Sequence, residues 1–346
     1  MQALFYTGER NAPLHWREVA APELAEPTDA LVRPIAVAAC DLDRHIVDGR
    51  SPFPGPFMLG HEFTGEIVAL GEAVTGLEIG DRVLASFQPS CGDCGPCSHQ
   101  HSSVCGSVPN GTMYGIGAVG GDWQGALADL IRVPWATFNL AKVPSHIDLR
   151  AIASAADNLA DGLRGVEQPL QQRPGASVLV AGSGSIPLYA VLCARFLGAE
   201  EVTLASDDEF ALGVADAMGA NCLPVTTWPN RFRSHDISVD CTNDVAGLAA
   251  VIGSTSPYGI CTSSSIFFGG GVTVPMFNMN MRGIAFHTGR VNSASNLDKV
   301  LALLAAGLDP EQVQPAYFAF EQLAEGLHQE PFSRKVIAYS AVYHAR

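Results

Sequence analysis

The chain holds 346 residues, 47% hydrophobic and 16% charged, which is enough for two domains with separate cores and too apolar for a disordered chain. A formal charge of −15 argues against nucleic acid or an anionic membrane as partner, because both demand a basic surface. The opening MQALFYTGER has no basic run leading into an apolar one, and no run of about 18 apolar residues spans a bilayer, so nine reduced cysteines in a cytoplasmic setting are expected.

Short strands punctuated by Gly and Pro are predicted up to about residue 150. LVRPIAVAAC, FTGEIVALG and DRVLASF carry β-branched and alternating residues between turn signals. Within this region Cys91, Cys94, Cys97 and Cys105 are spaced C-x2-C-x2-C-x7-C. Four thiolates so close in sequence wrap one tetrahedral ion, with Zn–S bonds of about 2.3 Å and no open position. Such a site holds a loop in shape and does no chemistry. Two disulfides are the other reading, and the closeness of the first three cysteines stands against it.

After Pro144 the pattern changes. Residues 150–168, rich in Ala and Leu, predict a helix. Strands at SVLVAG, EVTLAS, HDISVDCT and GICTSSS then alternate with helices through LYAVLCARFLGA and FALGVADAMGA. Such alternation predicts βαβ units around a parallel sheet. Helices at NLDKVLALLAAG and EQLAEGLHQ and a strand at KVIAYSA follow.

Gly182 and Gly184 end the SVLVA strand and open a helix. The first permits a tight turn and the second lets the backbone approach a pyrophosphate, so the turn, with Ser185 and Ile186, is a candidate dinucleotide site. Pro187 replaces the third glycine of G-x-G-x-x-G, which the first turn of a helix tolerates. Ser206, Asp207 and Asp208 follow the next strand, where an acidic residue clasps the adenosine ribose. With no Arg or Lys beside these aspartates, NAD is preferred over NADP. The same aspartates also read as the cap and first-turn carboxylates of the next helix.

Cys40, His61, Glu62 and Asp157 are scattered, and each alone has a plain structural explanation. Together they offer one sulfur, one nitrogen and up to two oxygens, a mix suited to a zinc site with room for water or substrate.

LGHEFTGEIVALGEAV-TGLEIGDRV resembles the G-H-E signature of medium-chain, zinc-containing alcohol dehydrogenases, and the four-cysteine lobe resembles that family's structural zinc loop. The resemblance covers essentially the whole chain. It implies an α/β fold, with a central Rossmann doubly wound parallel sheet plus a mainly β GroES-like catalytic domain. The implied boundaries are 1–150 for the catalytic domain with its zinc lobe at about 88–108, 151–288 for the cofactor domain, and 289–346 returning to the catalytic domain. It makes Cys40, His61 and Asp157 catalytic zinc ligands, with Glu62 able to enter or leave the ligand set. Two zinc ions per subunit are implied. Asp43 then hydrogen-bonds His61, and His45 stands at the outer end of a proton relay beside the cofactor ribose.

The implied reaction is hydride transfer between a nicotinamide cofactor and an alcohol, aldehyde or ketone. One departure matters. Leu42 stands where the family has Ser or Thr, and leucine neither donates nor accepts a proton. Water or Asp161 is the expected substitute. A second reading keeps the fold and reduces a polarised C=C or C=N bond, for which no such relay is needed. A third is a non-enzymatic nucleotide sensor, which two intact ligand sets oppose. Phe87 resembles a pocket-wall aromatic of the family and Trp123 lies in a loop that overhangs the same cleft, and each reads equally as core packing; Leu42 and Phe87 together predict an apolar substrate, and Arg334 or Lys335 reads as a surface charge or a phosphate contact. Relatives associate through the sheet edge, so a homodimer or homotetramer is expected, with the segment from Ile266 to Met281 as that edge.

Overall fold

The computed structural model describes residues 1–9, 14–49, 53–268 and 270–340. The strand Val178–Gly182 is buried along its whole length, as befits a strand covered by helices on both faces. Around it lies a six-stranded, all-parallel sheet in the spatial order Asn221–Pro224, Val202–Ser206, Val178–Gly182, His235–Cys241, Thr255–Ser263, Ala285–Thr288. In chain order this is 3-2-1-4-5-6, the doubly wound arrangement, whose ligand crevice opens at the carboxyl end of the first strand. The helices Ala160–Gln172 and Ser185–Phe196 pack on each other so closely that a Cβ on Gly162 would lie 2.6 Å from the Ala190 nitrogen.

A second sheet is mostly antiparallel and draws on both ends of the chain. Val336–Tyr339 lies between Ala316–Ala319 and Ala30–Ala39, and the order continues through Glu62–Leu70, Arg82–Ala85 and Leu140–Lys142. Pro34 sits inside the long Ala30–Ala39 strand where its register with Glu62–Leu70 slips, the bulged position at which a residue without an N–H is tolerated. A small third sheet joins Leu14–Glu18, Gln2–Tyr6 and Phe57–Met58.

Two expectations are corrected. The edge strand beside Thr255–Ser263 is Ala285–Thr288; the Ile266–Met281 segment forms no strand among its described residues and ends in the helix Met276–Arg282. Gly270, Gly271 and Pro275 there lack the side chains or the N–H that a ladder uses. The helix expected over 150–168 begins later: turns lead to a π-helical segment, Ala155–Leu159, and the α-helix runs Ala160–Gln172. The Ser154 hydroxyl and the Asn158 N–H both donate to Glu62, at 2.6 and 3.4 Å, which ties this backbone outward to a side chain.

Candidate functional site

Sheet register assembles the reactive centre. Ile337 lies opposite Ala38, and Ala38 opposite Glu62, so Cys40, His61 and Lys335 emerge at one end of three neighbouring strands. Cys40 caps the helix Asp41–Val47: its sulfur accepts the Leu42 N–H at 3.2 Å, while Asp43 accepts the Cys40 N–H at 2.8 Å. Asp157 arrives from the π-helical turn, a distortion that recurs at functional sites. The donor atoms of Cys40, His61, Glu62 and Asp157 all lie within 4.8 Å of one another. His61 Nε2 stands 3.4 Å from Asp157 and 4.0 Å from Glu62.

Both ring nitrogens of buried His61 lack a hydrogen-bond partner. Burial, reinforced by the Asp43 charge, pushes the Cys40 thiol up to about 12. A divalent cation removes both penalties at once, drawing the thiol to thiolate and taking the imidazole lone pair, so the donor set fits a metal. Glu62 is the most committed of the four. Lys335 Nζ and Ser154 Oγ each donate to it at 2.6 Å, and burial still raises its carboxyl to about 7 against the pull of Lys335.

Lys335 is only 2% exposed, so it is neither a surface charge nor a phosphate contact. Arg334 pairs with Glu330 at 3.0 Å and lies over the Phe210 ring. Asp43 comes within 3.8 Å of His61 Nδ1, beyond hydrogen-bond length, because its carboxylate is turned to the Cys40 N–H. Asp161 is held by Arg164, whose Nε donates to it at 2.7 Å and whose Nη2 donates to Ser264 at 3.0 Å. That ion pair removes it as a free proton carrier.

The four-cysteine lobe is a separate cluster, with sulfur donors again within 4.8 Å. Sulfur pairs at 3.5 and 3.8 Å lie near the edge of about 3.8 Å that a tetrahedron of 2.3 Å Zn–S bonds has. All nine cysteines are free thiols. Backbone N–H groups of Cys94 and Gly106 donate to Cys91 and Cys94 sulfurs at 3.4 and 3.2 Å. Hydrogen bonds from the backbone of Cys97 and Gly106 hold the Cys94 thiol down to about 6.

At the nucleotide turn, Gly182 and Gly184 adopt φ of +132° and +108°, the region glycine supplies without strain. Ser185 and Ile186 open the following helix, and Pro187 sits in its first turn. Ser183 hydrogen-bonds Ser206 at 2.9 Å and donates to Asp207. Asp208 takes the capping role, accepting the Ala211 N–H at 3.1 Å, and also accepts the Ser333 N–H at 3.1 Å. Ser183, Asp207, Phe210 and Phe332 line a cavity beside the turn, and the His45 ring packs 5.9 Å from that of Phe332.

Phe87 stands 5.9 Å from the His61 ring. Arg290, absent from the sequence expectations, lies over the same ring: its guanidinium is 5.9 Å from the Phe87 ring, and Nη2 donates to the Thr112 carbonyl at 3.2 Å. Trp123 is tied to Thr112 at 2.8 Å and packs edge-on to Tyr114. Ser154 was missed as well, and Lys335 was named only as a surface charge or phosphate contact; a lysine directly before the buried VIAY strand was the available signal for its burial.

Residues 26–145 match the family model of the alcohol dehydrogenase GroES-like domain. A glutathione-independent formaldehyde dehydrogenase of Pseudomonas aeruginosa is 36% identical over 64% of this chain and 58% of its own length. An L-threonine 3-dehydrogenase of Bacillus subtilis is 32% identical over 59% of this chain and 56% of its own. The matches thus span somewhat more than half the length of these relatives. Among solved structures, alcohol dehydrogenase TADH from Thermus sp. ATN1 superimposes with a TM-score of 0.89 at 29% identity, covering 98% of this chain and 100% of that one. With its parallel sheet, its four-cysteine lobe and its Cys–His–Glu–Asp cluster, the chain carries an alcohol dehydrogenase GroES-like domain over residues 26–145 and is similar along nearly its whole length to an alcohol dehydrogenase structure.

Proposed function

We propose that the chain is a zinc- and nicotinamide-dependent oxidoreductase that interconverts an alcohol with an aldehyde or ketone. The observation that carries this reading is the buried Cys40–His61–Glu62–Asp157 cluster beside a glycine-rich turn. When bound, zinc supplies a Lewis acid for the substrate oxygen and the nicotinamide supplies the hydride acceptor or donor. Cys40, His61 and Asp157 hold the metal, and Lys335 with Ser154 restrains Glu62 at its side. The turn from Gly182 to Ile186 receives the cofactor pyrophosphate, with Asp207 facing the ribose, which favours NAD over NADP. Phe87 and Leu42 exclude water from the reacting atoms. His45 stands at the outer wall, and with Asp161 committed to Arg164 a water has to carry the alcohol proton past Leu42.

Residues 1–150 and 289–346 are assigned to the catalytic domain and 151–288 to the cofactor domain. A homodimer or homotetramer built on the Ala285–Thr288 edge and a cytoplasmic setting complete the proposal. No helix among the described residues is long and apolar enough to cross a membrane.

Leu42 favours a second reading, reduction of a polarised C=C or C=N bond on the same scaffold. Zinc per subunit, measured on the wild type and on Cys40→Ala, separates the two. Two ions falling to one support alcohol–carbonyl chemistry. One ion in both proteins removes the metal from the reaction and leaves the second reading in place.

A further inference from the structure

The anion seat of the dinucleotide turn is occupied by the protein itself. Asp41 opens the short helix that follows Cys40, and its carboxylate oxygens accept the Ser185 N–H at 3.3 and 3.2 Å and the Ser185 hydroxyl at 3.3 Å. Ser333 Oγ accepts the neighbouring Gly184 N–H at 2.8 Å. These are the N–H groups at the start of the Ser185–Phe196 helix, where a pyrophosphate is bound in such a turn. The fit is close: a Cβ on Gly184 would collide with the Asp41 carboxylate.

Among the described residues, the cations whose fields act on Asp41 are Lys335 and Arg44, and both are engaged elsewhere. Lys335 is spent on Glu62, and Arg44 donates to the carbonyls of Leu327, Glu330 and Arg334 at 2.8, 3.0 and 2.8 Å.

We propose that Asp41 is an internal anion that holds the pyrophosphate seat and must swing out before a dinucleotide binds, so that it sets cofactor affinity as a built-in brake. The inference rests on the dinucleotide reading given above. A pyrophosphate entering the seat meets a carboxylate within a few ångströms in a partly desolvated crevice, and like charges there repel strongly. A ligand without phosphates feels no such barrier.

Calorimetric titration with ADP-ribose and with adenosine tests this on the zinc-loaded wild type, Asp41→Asn and Asp41→Gly. The expected result is ADP-ribose binding about tenfold or more tighter in Asp41→Asn, a larger gain in Asp41→Gly, and adenosine affinity unchanged within about twofold. Unchanged or weaker ADP-ribose binding in folded variants, with adenosine still bound, overturns the brake alone. Absence of binding by both ligands in all three proteins overturns the dinucleotide reading together with it. A wild-type crystal structure with ADP-ribose needs no variant: the proposal requires the Asp41 carboxylate to have left the Ser185 N–H, and finding it still there overturns the proposal.

Discussion

The two four-donor clusters of this chain each bring their donors within 4.8 Å of one another and differ in chemistry. In the cysteine lobe every donor is sulfur, and backbone N–H groups donate to the sulfurs, so four like ligands would close around a bound ion. The Cys40 cluster mixes sulfur, nitrogen and oxygen, borders Phe87, and sets a lysine against one of its own carboxylates. Uniform donors make a staple; a mixed and partly pre-engaged set leaves room for a reacting atom.

Cys97→Ser in the lobe is the hardest test of that contrast. Structural zinc sites contribute about 10–16 kcal/mol in small domains, so soluble yield should collapse and the remaining protein should lack one zinc. Normal yield with full zinc occupancy would show the lobe to be dispensable. Dialysis against a chelator comes next. The mixed cluster should empty first, with activity lost before the near-ultraviolet circular dichroism changes. Simultaneous loss of both ions would erase the distinction between staple and reactive centre.

Lys335→Met probes the engaged carboxylate. Removing one partner of a buried ion pair costs about 3–5 kcal/mol, read as a lower urea midpoint; Lys335→Arg should recover part of it. An unchanged midpoint would mean Glu62 has another partner. Leu42→Ser should raise turnover of an alcohol substrate about tenfold, since positioned proton transfer is worth about 10²–10⁴-fold; no gain would count for relay-free chemistry. The smallest effect belongs to Asp208→Ala, which removes a helix cap and should cost about 1 kcal/mol in thermal unfolding.

What the sequence could reveal tracks how local the physics is. The cysteine lobe was legible because its ligands fall within fifteen residues, and the βαβ alternation because each element carries its own periodicity. The Cys40, His61 and Asp157 grouping came from family resemblance and not from spacing. Lys335 was misread because its partner Glu62 lies 273 residues away and only strand register brings them together. Asp41 was passed over for the same reason: nothing near it in sequence points to Ser185, 144 residues on. The false edge at Ile266–Met281 arose from reading apolar composition as pairing, although its glycines and proline oppose a ladder. The short start of the helix at Ala160 reflects tertiary bonds from Ser154 and Asn158 to Glu62, which no propensity encodes.

The position of the Val336–Tyr339 strand fixes an order of events during synthesis. The lobe has all four of its cysteines once residue 105 has left the ribosome, and can take up its ion from then on. The lysine that neutralises Glu62 arrives about 230 residues later, roughly 10–50 s at ordinary elongation rates. A nascent chain therefore carries all four lobe ligands long before it carries the buried partner of Glu62.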